Sequence, residues 1–109
     1  MNSLSLFKLL ADDTRLTCML LLSLRPSLCV CDLQSLLSLS QPKISRHLAQ
    51  LRKAQLVLAE RRGQWVHYQL HPELPAWCLT ILRQSARQEQ MKLTTLLARL
   101  PRDCELECP

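Results

Sequence analysis

Residues 40–51 read Ser-Gln-Pro-Lys-Ile-Ser-Arg-His-Leu-Ala-Gln-Leu, and this stretch decides the fold. Ile44, Leu48 and Leu51 are spaced so that they share one stripe of a helix. The residues that face away from that stripe are polar or basic, namely Lys43, Arg46, His47 and Gln50. Residues 33–56 as a whole have the length and pattern of a helix-turn-helix, with residues 40–51 in its second helix.

Positive charge is concentrated around this second helix. The chain has a formal net charge of +5. Between Gln41 and Trp65 there are six basic residues and a single acidic one, Glu60. Such a concentration of one sign of charge indicates a polyanionic partner, and double-stranded DNA is the partner that a helix-turn-helix implies.

Composition limits the remaining architecture. The chain has 109 residues, 48% of them hydrophobic and most of these Leu, with one Gly. This favours a single, mainly helical domain. The apolar surface of both ends exceeds what so small a monomer normally hides, which predicts a homodimer.

The predicted elements make a winged helix-turn-helix: mainly α with a β-hairpin wing. A domain over residues 1–101 precedes a Cys-containing tail, 102–109. Asp12 or Asp13 can cap the second helix, Ser40 can cap the fourth, and Gly63 lies in the hairpin turn. Predicted helices cover 3–11, 13–24, 30–38, 41–54 and 76–100, and predicted strands cover 56–60 and 65–70.

Two thiols precede the helix-turn-helix in the segment Cys29-Val30-Cys31-Asp32. Thiolates are ligands for soft metals and metalloids and are favoured at the start of a helix. On an ideal helix, residues two apart diverge, so joint binding by Cys29 and Cys31 is expected to require unwinding of the first turn. We find no pattern of a secretory signal, which favours six reduced thiols in a cytoplasmic protein with no membrane partner.

Four segments together resemble the ArsR/SmtB family, and more narrowly its arsenic-responsive repressors. They are Leu10–Leu16, Leu28–Leu33, Ser40–Leu48 and Gly63–Tyr68. The resemblance implies a homodimer that forms through the first and last helices. It also implies that the unliganded protein binds operator DNA, typically an inverted repeat, and is released by an inducer. That inducer would be trivalent arsenic, as arsenite or methylarsenite, or else antimonite.

One position departs from the family pattern. Arsenic sensors of this subtype often carry a third Cys three residues after the second, where this chain has Gln34. The resemblance therefore implies Cys29 and Cys31 as ligands and leaves the third ligand open. Cys104 and Cys108 in the tail are possible additional ligands, or a second thiolate pair. Cys18 and Cys78 have the surroundings of packed helix residues.

Roles at the DNA follow from side-chain chemistry. Lys43 and Arg46 on the second helix, and Arg61 and Arg62 on the wing, are predicted to contact phosphates or a groove. Amide, hydroxyl and imidazole groups can discriminate base edges, which favours Gln41, Ser45 and His47 for that role.

Three alternatives keep the thiols but change the signal or the partner. One is a cadmium, lead or zinc sensor with four thiolates, although residues 1–17 contain no Cys. The second is a redox switch through a disulfide, which we expect to be strained between Cys29 and Cys31. The third is a thiol metal carrier without DNA binding, which the basic segment disfavours. The zinc site of the family's last helix needs His and carboxylates, but residues 76–100 contain no His or Asp. We find no catalytic motif and predict no enzyme activity.

Overall fold

The computed structural model describes residues 1–100 of the chain. The predicted tail over 102–109, with Cys104 and Cys108, lies outside the described residues. The elements in chain order are α1 (Ser3–Leu10), α2 (Asp13–Leu24), β1 (Leu28–Cys29), α3 (Val30–Leu37), α4 (Gln41–Lys53), β2 (Val57–Arg62), β3 (Trp65–Leu70), α5 (Ala76–Gln88) and α6 (Gln90–Leu97).

The helix-turn-helix consists of α3, α4 and a tight turn between them. Ser38 ends α3 in the left-handed region with φ 54°, and its backbone N–H donates to the Gln34 carbonyl oxygen. Ser40 occupies the N-cap position of α4, as predicted, but its side chain makes no capping hydrogen bond. Ile44, Leu48 and Leu51 are fully buried, which confirms the apolar stripe. The opposite side of α4 faces solvent.

The wing is a hairpin of β2 and β3 that closes with Arg62 opposite Trp65. Gly63 begins the two-residue turn with φ 64°, a conformation that glycine adopts without a steric penalty. The prediction of a two-stranded sheet was wrong in one respect, because β1 pairs with the other edge of β3. A strand of two residues is too short to produce a period-2 pattern in sequence.

The prediction of a single last helix over 76–100 was also wrong. The described structure breaks it at Glu89, which separates α5 from α6. The break lets α6 contact both α2 and α5 and bury Leu93 and Leu97. Lys92 Nζ lies 3.8 Å from the Asp13 carboxylate at the start of α2. No Pro or Gly marks the break, so tertiary packing produces it.

The core is built around α2. Residues 17–22 are all buried, and α2 contacts α1, α4, α5, α6 and β3. Cys18 on α2 and Cys78 on α5 are fully buried, which confirms their prediction as packing residues. Among the described helices, none is both long enough and apolar enough to cross a membrane.

Candidate thiolate site and nucleic-acid interface

Cys29 occupies the N-cap position of α3. Its backbone is extended, with φ −80° and ψ 163°, and its Sγ accepts from the Asp32 backbone N–H at 3.3 Å. Asp32 reciprocates, because its Oδ2 accepts from the Cys29 backbone N–H at 3.0 Å. This is the capping-box arrangement with Cys in the place of Ser or Thr. The spacing Cys29-x-x-Asp32 is a sequence signal for this cap.

The cap geometry overturns the prediction that Cys29 and Cys31 diverge. Because Cys29 lies outside the helix, the angular spacing of an ideal helix does not apply to the pair. Their Cα atoms are 5.3 Å apart and their sulfurs are joined as a disulfide. The expectation of six reduced thiols is therefore wrong for this pair. The two sulfurs converge without unwinding of α3.

Asp32 completes a compact group of potential ligands. One ligand atom each from Cys29, Cys31 and Asp32 lies within 4.8 Å of the others, and this is the one such group of three in residues 1–100. Cys29 and Asp32 are buried, whereas Cys31 is half-buried. A shallow groove beside Cys31 is lined by Gln34, Ser35, Ser38 and Leu39. Small molecules can therefore approach the pair from the Cys31 side.

The other two described cysteines are chemically different. Burial, aided by the negative charge of Asp12, raises the pKa of the Cys18 thiol to about 12. Burial also raises the pKa of Cys78. Both residues stay neutral at physiological pH and are poor candidates for metal ligands.

Cys29 also belongs to the sheet. In β1 it pairs with His67 of β3, and Leu28 pairs with Tyr68. His67 is buried. The thiol site is thus joined by backbone pairing to β3, the central strand of the sheet, as well as to the start of α3.

The first two turns of α4 present most of the predicted DNA-binding side chains. Gln41, Lys43 and Arg46 are exposed, and Ser45 is half-buried. Gln41 Nε2 donates to Ser45 Oγ at 3.1 Å, so two of the three predicted base-reading side chains form one hydrogen-bonded unit.

His47 lies differently from its neighbours on α4. Its Nδ1 is 3.8 Å from Asp12 Oδ1 and 3.4 Å from Arg15 NH1. Arg15 NH1 also donates to Gln50 Oε1 at 2.8 Å. Sequence patterns gave no sign of this cluster of Asp12, Arg15, His47 and Gln50, because its two halves lie more than thirty residues apart.

The wing places its two arginines at the tip of β2. Arg61 and Arg62 are both exposed. Arg61 Nε donates to the Gly63 carbonyl oxygen at 3.2 Å, and Arg62 NH2 lies 3.6 Å from the Glu60 carboxylate. These contacts keep both guanidinium groups at the hairpin tip, on the solvent side.

Known proteins share this sequence pattern. Residues 12–58 match the family described as bacterial regulatory protein, arsR family. The chain is 52% identical to the arsenical resistance operon repressor of Escherichia coli K12, over 91% of this chain and 85% of that protein. The chain belongs to the ArsR family. It is also 57% identical to the arsenic resistance transcriptional regulator ArsR1 of Pseudomonas putida, over 71% of this chain and 60% of that protein.

Solved structures share the fold of this chain. Reduced HlyU from Vibrio cholerae aligns with a TM-score of 0.71 and 31% identity, covering 79% of this chain and 86% of that one. The antimony-specific transcriptional repressor AntR aligns with a TM-score of 0.67 and 28% identity, covering 82% of this chain and 78% of that one. The winged helix-turn-helix prediction is confirmed, and the relatives matched by sequence are transcriptional regulators by name.

Proposed function

We propose that this ArsR-family chain is a metalloid-responsive transcriptional repressor. Its unliganded homodimer binds operator DNA and releases it when trivalent arsenic or antimony binds Cys29 and Cys31. The observation that carries the proposal is the convergence of two sulfurs at the first turn of α3, within the helix-turn-helix itself. The relatives named as arsenical and antimony repressors support the same inducer class.

The inducer chemistry follows from the ligand set. Reduction of the disulfide gives two thiolates, the ligand type that soft metalloids prefer. Trivalent arsenic has three substituents, and Gln34 offers no third sulfur. With two protein thiolates, the third substituent is a hydroxide in the case of arsenite or the methyl group in the case of methylarsenite. The tail thiols Cys104 and Cys108 remain possible third ligands.

A ligand at Cys29 has two routes to the DNA-binding surface. The Cys29 Sγ accepts a hydrogen bond from the Asp32 backbone N–H at the start of α3, and α3 packs against α4. The Cys29 backbone pairs with β3 of the wing. A sulfur bound to arsenic is a poorer hydrogen-bond acceptor. Arsenic binding at Cys29 would therefore weaken the cap of α3 and shift the pairing of β1 with β3. Coupling between such sites is typically about 1–3 kcal/mol, or roughly 5–150-fold in affinity.

At the DNA, Lys43, Arg46, Arg61 and Arg62 would contact phosphates or a groove. Gln41, Ser45 and His47 would read base edges, and the exposure of Gln41 on α4 is consistent with this role. Two copies would bind an inverted repeat in the cytoplasm. Exposed apolar side chains on the first and last helices support that dimer: Leu4, Phe7 and Met91.

Operator release under reducing conditions tests the proposal. A duplex carrying the operator is titrated with arsenite, methylarsenite, antimonite, cadmium and zinc, and release is followed by fluorescence anisotropy. Cys29→Ser and Cys31→Ser should bind DNA normally yet ignore arsenite, since serine keeps the shape but not the soft ligand. Cys78→Ala, at a buried thiol outside the proposed site, is the matched control, and Cys104→Ser/Cys108→Ser tests whether the tail supplies a third ligand. A Cys29→Ser protein that arsenite still releases would contradict the proposed site.

The third ligand position is tested with Gln34→Cys and its control Gln34→Ser. A third thiolate should tighten arsenite binding by roughly 100-fold or more, as expected for a tethered extra ligand. Methylarsenite should gain less, because methyl already occupies one position on arsenic. Equal gains for both inducers would show that the introduced thiol does not bind arsenic directly in Gln34→Cys.

The disulfide favours a second candidate function, a thiol redox-sensing repressor. In that case a two-electron oxidant such as diamide would release the reduced protein from DNA without any metalloid. Cys31→Ser should then abolish the response to diamide. Retention of DNA by the fully oxidised wild-type protein would exclude this alternative.

A further inference from the structure

One side chain at the start of α2 reaches two other helices. Arg15 Nε donates to the Leu9 carbonyl oxygen at 2.7 Å, in the last turn of α1. Arg15 NH1 donates to Gln50 Oε1 at 2.8 Å, in the second half of α4. A single guanidinium therefore connects α1 with the helix that carries the predicted base-reading residues.

The bridge is supported from both sides. Asp12 Oδ1 accepts from the Arg15 backbone N–H at 3.1 Å and lies 3.8 Å from His47 Nδ1. His47 Nδ1 is in turn 3.4 Å from Arg15 NH1. Arg15, Asp12 and His47 are half-buried, so water competes less for the contacts among them than it does at an open surface, whereas Gln50 at the α4 end of the bridge is exposed.

Arginine suits this role because its donors form a rigid planar fork. Fixing Nε on Leu9 and NH1 on Gln50 orients that fork, and the fork then constrains how α4 is rotated relative to the end of α1. The apolar contacts of Ile44, Leu48 and Leu51 hold α4 against the core, but burial alone is not directional. The hydrogen bonds of Arg15 are directional and therefore fix the rotation of α4.

We propose that Arg15 is a positioning residue for DNA recognition. It sets the orientation of α4 and so determines the preference for operator over other DNA, without contacting DNA itself. This inference rests on the proposed function, in which α4 reads the operator. Arg15 uses two of its donor groups for hydrogen bonds within the protein, whereas Arg46 on α4 is exposed.

The test compares Arg15→Ala with Arg46→Ala on two duplexes of equal length. One duplex is selected from random sequence by the wild-type chain, and the other is a scrambled control. Arg15→Ala should lose roughly tenfold in affinity for the selected duplex, comparable to losing one base-edge contact. Its affinity for the scrambled duplex and its salt dependence should stay unchanged. Arg46→Ala should weaken both duplexes and lower the salt slope by about one.

Two further measurements separate positioning from charge and from simple destabilisation. Arg15→Lys keeps the charge but not the fork, so it should not restore preference for the selected duplex. In a double-mutant cycle, Arg15→Ala and Gln50→Ala should be non-additive in that preference, with the double variant close to the worse single one. All binding is measured at a temperature where circular dichroism shows each variant to be folded.

Several outcomes would overturn the inference. Equal losses on both duplexes with a reduced salt slope would make Arg15 a phosphate contact. If folded Arg15→Ala keeps the wild-type preference for the selected duplex, Arg15 has no positioning role. Additive effects of Arg15→Ala and Gln50→Ala on that preference would lead to the same conclusion. Either result leaves the repressor proposal intact. A wild-type chain that selects no duplex would overturn both proposals together.

Discussion

The cysteines within residues 1–100 differ chemically according to their surroundings. Cys18 and Cys78 are fully buried, and burial raises both pKa values, that of Cys18 to about 12. Cys31 is half-buried and borders an open groove. Reactivity should therefore differ sharply between these sites, since the thiolate is the reactive form.

We predict that iodoacetamide at pH 8 alkylates Cys31 in the reduced native protein and spares Cys18 and Cys78. With a pKa of about 12, on the order of one Cys18 thiol in ten thousand is ionised at that pH. Mass spectrometry of peptides locates the adducts, and labelling in urea is the control in which all thiols react. Native labelling of Cys18 at the rate of Cys31 would contradict the buried assignment.

Asp12 combines a capping role with electrostatic contacts. The hydrogen bond from the Arg15 backbone N–H lowers the pKa of its carboxyl below 3.8, and the charges of His47 and Arg15 act in the same direction. A lowered pKa in the folded state means that the carboxylate stabilises the fold fully above pH 3.8. This contribution is lost as the pH falls below that value.

We predict that Asp12→Ala reduces the free energy of unfolding by about 1 kcal/mol at pH 7. Asp12→Asn should lose less, because its amide oxygen can still cap α2. The difference between wild type and Asp12→Ala should shrink as the pH is lowered from 6 to 3. Urea unfolding at each pH measures it, and a difference that widens toward pH 3 would contradict the assignment.

At the scale of the element, α4 separates a buried face from a solvent face. Arg46 is exposed while Leu48 is fully buried two residues later. Removal of the Arg46 side chain should therefore leave the packing of the helix intact. Any loss of DNA affinity then reports on contact with DNA.

We predict that Arg46→Ala weakens binding to all DNA sequences and lowers the slope of log affinity against log salt by about one. Dimerisation and arsenite binding should not change. Arg25→Ala, an exposed arginine at the end of α2, is the matched control. Identical salt titrations for Arg46→Ala and wild type would show that α4 does not lie on the phosphates as proposed.

Strand β1 and the break between α5 and α6 were not predicted from the sequence, and the reason is the same for both. Only two residues of β1 pair with β3, which is too few to give a pattern. The break at Glu89 has no Pro or Gly beside it that would predict a helix end. Both features arise when distant segments meet. By contrast, the long apolar stripe of α4 and the turn at Gly63 follow from local periodicity and local conformational freedom.

At the scale of the whole molecule, the most exposed large apolar side chains within residues 1–100 lie on the first and last described helices. Leu4 and Phe7 on α1 are 64% and 52% exposed, and Met91 on α6 is 86% exposed. A second copy that covers these side chains would remove them from water, as the proposed homodimer requires.

We predict that Phe7→Glu shifts the protein to a monomer in sedimentation velocity at micromolar concentration. The helical circular dichroism signal should be retained. Leu58→Glu replaces an exposed Leu on β2 and is the control that should remain dimeric. Operator affinity should fall for Phe7→Glu, since the two half-sites would then bind separate chains. A Phe7→Glu dimer would place the interface elsewhere.

The sequence by itself determined the helix-turn-helix, the wing and the thiol pair, because these depend on periodicity, turn residues and residue chemistry within short segments. Only the tertiary structure decided how the sulfurs converge and where Arg15 reaches. Cys29 faces Cys31 because it is an extended cap paired with β3 rather than a helical residue. Arg15 meets Gln50 because α2 and α4 pack together across thirty-five positions, a distance over which local pattern carries no information.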